Sequence, residues 1–171
     1  MKRFQMKHVL ATTIGVLLLC LISQPATSQI DKRVEDRAEE RTEEGKVIEI
    51  SEAEFAELIF DFYTDKSKWK YKGSLPAVVD FYATWCGPSR QLRPRLEALA
   101  KEYTGVIKVY SIDGDTAPNA RSVMGVRAYP TIFFIPKQGT PTKSVGALPM
   151  GILRKQVEQI LHTTEEKSKD E

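Results

Sequence analysis

Apolar and polar residues follow two different periods along the chain, and each change of period marks an element. Val47-Ile48-Glu49-Ile50 is a short β-rich run. Ser51 followed by Glu54 forms a capping-box pattern, in which hydroxyl and carboxylate each satisfy a backbone N–H. It opens a helix with Phe55, Leu58, Ile59 and Phe62 at helical spacing. Thr64 to Ser74 is polar and reads as a loop. Ala77 to Tyr82 is an apolar strand interrupted only by Asp80, which predicts burial on both faces. A turn from Ala83 to Ser89 leads into a helix with Leu92, Leu96, Leu99 and Ala100 on one face. Val106 to Ile112 reads as a strand with Ile107, Val109 and Ser111 on one side, and Thr116 to Val123 as a short helix. Thr131 to Ile135 and Thr142 to Val145 form strands about a turn at Gly139. Pro149 starts a last helix with Ile152, Leu153, Val157, Ile160 and Leu161. The order β-α-β-α-β-α-β-β-α predicts an α/β domain. Its central sheet should be mixed and mainly parallel, flanked by helices, with the closing strand pair antiparallel.

Beyond this domain, residues 47–162, the pattern changes. Lys2, Arg3 and Lys7 precede an uncharged, mostly apolar run from Val9 to Ile22, followed by small and polar residues to Ser28. These are the three parts of a secretory signal peptide, residues 1–28, and the apolar run is short of the roughly 20 residues a membrane span needs. The expected location is outside the cytoplasm, in a periplasm or the extracellular space, with the mature form free of the membrane. An uncleaved N-terminal anchor and a lipoprotein signal ending at Cys20 are the rival readings. Residues 29–46 carry charges of both signs and too little apolar surface to fold alone, so they read as a tether or an acidic partner-binding arm. Residues 163–171 are charged and read as a disordered tail.

Composition narrows the function. The 171 residues are 42% hydrophobic and 28% charged, with a formal net charge of +2. This is ordinary for a globular protein, and there is no basic stripe with interleaved aromatics, so nucleic acid is not an expected partner. The two cysteines are Cys20, in the leader, and Cys86. The mature chain would keep one thiol and could form no internal disulfide. One cysteine does not make a four-ligand zinc site, no phosphate loop is present, and no cofactor is called for.

The chemistry therefore centres on Cys86. It follows an apolar strand and opens a helix, where unpaired N–H groups and a partial positive charge favour a thiolate over a thiol. Pro88 suits the first turn of that helix, whereas Pro94 lies where proline is expected to kink it. His8 and His162 fall outside the core, which leaves no histidine to activate the thiol.

The segment Val78-Val79-Asp80-Phe81-Tyr82-Ala83-Thr84-Trp85-Cys86-Gly87-Pro88-Ser89 resembles the active-site region of the thioredoxin family. Pro94, Tyr129-Pro130-Thr131 and Val145-Gly146-Ala147-Leu148 continue the resemblance, which spans roughly Val47 to Leu161. It implies the thioredoxin fold and thiol–disulfide exchange with client proteins. In those terms Cys86 is the nucleophile. Asp80 is the buried carboxylate that exchanges protons through water, its pKa raised by burial. Pro130 is a cis-proline whose backbone, with Tyr129 and Thr131 beside it, would pair with an extended client segment. Gly146 lines the client groove, Trp85 shields the thiol, and Gly87 and Pro88 complete the contact surface.

Two departures matter. Thioredoxins carry a second, resolving cysteine where this chain has Ser89, and a hydroxyl cannot resolve a mixed disulfide at neutral pH. An external thiol or redox protein is then needed to finish the cycle. The alternatives are a client-binding or mixed-disulfide-trapping module, or a cysteine-to-serine replacement in a dithiol protein. Val109 also stands where many thioredoxins place a lysine beside the buried acid.

Overall fold

A computed structural model describes residues 45–64, 66 and 68–167, without the side chains of 164–167. The leader, nearly all of the tether, and residues 168–171 of the tail lie outside the described residues. The elements are β1 (Val47–Glu49), α1 (Glu52–Leu58), β2 (Ala77–Tyr82), α2 (Gly87–Glu102), β3 (Lys108–Asp113), α3 (Pro118–Val123), β4 (Thr131–Ile135), β5 (Thr142–Val145) and α4 (Met150–Lys167). Among these described residues no helix is long and apolar enough to cross a membrane.

The five strands form one mixed sheet in the order β1-β3-β2-β4-β5. β1 and β2 each run parallel to β3. The antiparallel part extends beyond the closing hairpin, because β4 runs against β2 as well as against β5. β2 is central and buried, as its unbroken apolar character requires. Its alternate residues feed two cores. Ala77, Val79 and Phe81 pack with Phe55, Ile59, Phe62, Tyr110 and Ile112 on the face covered by α1 and α3. Val78 packs with Leu92, Leu96, Leu99, Val109, Leu153 and Val157 under α2 and α4. The three leucines of α2 are fully buried, each worth about 1.5–3 kcal/mol relative to exposure.

The capping box at α1 forms as expected. Ser51 N–H donates to Glu54 Oε2 at 2.7 Å, and Glu54 N–H donates to Ser51 Oγ at 3.3 Å. The helix stops at Leu58, which is exposed, while Phe62 reaches the core from the following turn. The α3 helix starts two residues later than its sequence pattern suggests. The Thr116 hydroxyl donates to the Asp113 carbonyl and holds a turn, and Pro118 sits in the first helical turn. Glu52 of α1 caps α3 from outside, accepting from the N–H groups of Asn119 (2.7 Å) and Ala120 (3.0 Å). Pro94 lies exposed within α2, which continues as one helix to Glu102. The α4 helix runs to Lys167, past the boundary at which the sequence suggested disorder, so residues 163–167 belong to the helix.

Candidate active site

The site forms where β2 hands over to α2. Cys86 is the N-cap of α2, with an extended backbone and no side-chain cap bond, and Pro88 occupies the first turn. The Cys86 N–H donates to the Ala83 carbonyl at 3.0 Å, which tightens the turn. The thiol is 7% exposed and donates to the Tyr129 carbonyl across 3.3 Å. The loop before β4 therefore lies directly against the residue that opens α2. The Tyr129–Pro130 bond is cis, as the sequence resemblance implied.

Trp85 is 68% exposed and so is not a core tryptophan. Its indole N–H donates to Asp115 Oδ2 at 2.7 Å, and its ring meets Tyr129 edge-on with centroids 5.9 Å apart. The Tyr129 hydroxyl donates to Asp115 Oδ1 and accepts from Arg121, both at 3.3 Å. Arg121 lies 3.9 Å from Asp115. Two aromatic rings beside the thiol are thus fixed to one carboxylate. Gly114 leaves room for this arrangement, since a Cβ there would collide with the Tyr129 ring and hydroxyl.

The cis-proline loop is more committed than the sequence suggested. The Pro130 carbonyl accepts from Gly146 N–H at 2.8 Å. Thr131 is 1% exposed and donates its hydroxyl to the Ala128 carbonyl at 2.7 Å. Its backbone sits between Phe81 and Val145 in the sheet. Thr131 therefore supports the loop from the core and has no side-chain surface to offer a client. Gly146 has φ +99, a region that favours glycine, and nothing within 4 Å of where a Cβ would stand. Pro88 is exposed at the same rim and Gly87 half-buried.

Beneath this surface lies a second set of groups. Asp80 is 2% exposed, and burial pushes its carboxyl up to about 7. Arg93 pulls it down and Glu49 pushes it up. Ser111 sits near enough to favour the carboxylate slightly without reaching hydrogen-bond geometry. Asp80 Oδ1, Ser89 Oγ and Ser111 Oγ have no hydrogen-bond partner among the described residues. All three residues line one cavity of about 140 Å³, together with Tyr82, Ala83, Thr84, Arg90 and Arg93. Arg90 donates to the Thr84 carbonyl at its edge.

Exposed Trp85 and half-buried Tyr129 and Gly146 thus gather around the buried Cys86 and Pro130, while Asp80 and Ser89 line a separate cavity. Sequence reasoning missed Asp115, Arg121, Ser111 and Arg93. For Arg93 a signal existed, since it lies four residues after Ser89 and hence on the same helix face. The other three depend on register and loop packing, which no local pattern reports.

The Thioredoxin family model matches residues 46–159. A thioredoxin of Borreliella burgdorferi is 44% identical over 101 residues, covering 59% of this chain and 86% of that protein. The chloroplastic M-type thioredoxin of Pisum sativum is 40% identical over 86 residues, 50% of each chain, so this chain spans about half the length of that relative. A crystal structure of chloroplastic thioredoxin z shares 33% identity with a TM-score of 0.53, covering 67% of this chain and 94% of that one.

Proposed function

Because this chain belongs to the thioredoxin family, we propose that it carries out thiol–disulfide exchange on exported protein clients through Cys86 alone. Thioredoxins act on thiol or disulfide clients with redox partners, and family membership supports a thiol–disulfide oxidoreductase. The finer reading rests on one observation. Cys86 is the free cysteine of the described residues, and the position three residues on is a buried serine.

The steps follow from that pair. The Cys86 thiolate attacks one sulfur of a client disulfide, forming a Cys86–client mixed disulfide and releasing the other client sulfur as a thiolate, which takes a proton. An external thiolate then attacks the Cys86 sulfur and releases the second client thiolate. A second external thiolate attacks its own kind on Cys86, leaving as the oxidised disulfide and restoring the Cys86 thiolate. Two external thiols are oxidised for each client disulfide reduced. Where another thiolate of the client instead attacks the client sulfur of the mixed disulfide, a new client disulfide forms, the Cys86 thiolate leaves, and the result is isomerisation.

In this reading Trp85 and Tyr129 form the apolar contact surface, Gly146 keeps the groove open, and Asp80 exchanges protons with its cavity. The leader in residues 1–28 supports export to a periplasm or the extracellular space, which N-terminal sequencing and fractionation of the mature protein test. The chemistry is tested by reduction or reshuffling of a model disulfide protein with and without an added low-molecular-weight thiol. Turnover only with the thiol supports the reading, and no turnover in either case overturns it. Accumulation of mixed disulfides that the thiol does not release would make the protein a client-trapping module instead.

A further inference from the structure

A buried carboxylate can exchange protons near neutrality only if something offsets the cost of its charge. In this chain β3 places no cation among the residues that line the Asp80 cavity. Val109 is 1% exposed, lies in register between Val47 and Val78, and packs in the core beneath α2. The cation comes from the helix instead. Arg93 lines the same cavity as Asp80, Ser89 and Ser111. Its Nη1 lies 3.0 Å from Glu49 Oε2 on β1, and its Nε lies 3.4 Å from Glu97 Oε1 one turn along α2. These two carboxylates hold its stem against the cavity mouth. The Arg93 side chain is 39% exposed, so it stands between the cavity and solvent. Inside are three polar atoms without partners among the described residues, on side chains that are all more than nine-tenths buried.

We propose that Arg93, held in place by Glu49, is a positioning residue that supplies Asp80 with the positive charge Val109 cannot, and that forms the outer wall of the cavity through which Asp80 exchanges its proton. An arginine is suited to this because its charge is fixed at every relevant pH. Charged groups reach Asp80 from two elements, Arg93 from α2 and Glu49 from β1. Arg90 and Tyr82 complete the ionisable lining, and β3 contributes only the neutral Ser111. Arg93 favours the carboxylate and Glu49 opposes it, so the two partners of one ion pair should act on Asp80 with opposite sign.

This inference rests on the reading of Asp80 as the proton-exchanging acid, and its test reads that group directly. The Asp80 carboxyl carbon is followed by NMR against pH in full-length protein with carbon-13-labelled aspartate, the signal identified by its loss in Asp80→Asn. Arg93→Met keeps the stem and removes the charge. It should move the Asp80 midpoint upward by about 0.5–1 pH unit. Arg93→Lys should recover most of that shift, as should Arg93→Met combined with Val109→Lys, which returns a cation to the strand. Glu49→Gln should move the midpoint downward. An unchanged midpoint in folded Arg93→Met overturns the proposal. Should Arg93→Met fail to fold, Arg93→Gln removes the same charge, and an unchanged midpoint there overturns the proposal equally. Absence of disulfide turnover in the parent protein would defeat the exchange reading while leaving these shifts measurable.

Discussion

The Cys86 thiol and the Tyr129 carbonyl lie 3.3 Å apart although 43 positions separate the two residues. A helix N-terminus and the loop ahead of a central strand are thereby joined at the one reactive atom. Any group that bonds to the Cys86 sulfur must displace this contact or share it.

In the proposed cycle Ser89 leaves resolution of the mixed disulfide to an external thiol. Ser89→Cys places a thiol where only a hydroxyl now lies. Resolution then becomes intramolecular, and such steps gain greatly from effective concentration. Mixed disulfides should shorten in lifetime by roughly a hundredfold or more, and turnover should lose its dependence on added small thiol. Quenched time courses on non-reducing gels measure this. Cys86→Ser should abolish mixed-disulfide formation in the same assay.

Asp80 makes stability fall with rising pH. Its carboxyl sits at about 7 in the folded protein against 3.8 for an ordinary aspartate. Between these values the folded state keeps a proton that the unfolded chain has released, so stability decreases through that window and levels off above it. Asp80→Asn should remove the decline, gaining up to roughly 4 kcal/mol at pH 8 relative to the parent and almost nothing at pH 4. Urea midpoints at the two pH values check it.

Gly114 and Tyr129 compete for one space. Gly114→Ala should push the Tyr129 ring off Asp115 and cost roughly 1–3 kcal/mol. In the Tyr129→Ala background the same change should cost much less, giving a non-additive cycle. Thermal unfolding of the four proteins reads the coupling.

Glu52 ties two helices together. Its pKa is lowered: burial works against the charge, but the bonds from Asn119 and Ala120 outweigh it. Its contribution is therefore present above the ordinary glutamate value and lost as pH falls. Glu52→Ala should cost about 1 kcal/mol, as loss of a helix cap does, with the loss seen first in hydrogen-exchange protection of α3.

The elements and the reactive centre were legible because they depend on local rules. The period of Leu92, Leu96 and Leu99, the Ser51–Glu54 box and the apolar run around Asp80 each follow from spacing within one element. The motif segments around Cys86 and Pro130 carried the family. Leu58 reads as core from its spacing and is exposed, because α1 ends at that residue and the chain turns to insert Phe60 and Phe62. Thr131 reads as part of the client contact beside Pro130 and is buried, its hydroxyl turned to the Ala128 carbonyl and its backbone already paired on both sides.

The sequence by itself determined the order of elements, the thiol of Cys86 at a helix start and the hydroxyl in place of a second sulfur at Ser89. These are properties of adjacent residues and of residue chemistry. Only the tertiary structure decided which charges and hydroxyls meet. Arg93 and Asp80 line one cavity with Ser89 and Ser111 because strand register and helix packing bring β2, β3 and α2 together, and Asp115 holds the Trp85 and Tyr129 rings because the loops after β2 and β3 and before β4 meet. The energies of such encounters depend on distance and burial, and neither quantity exists until the chain has folded.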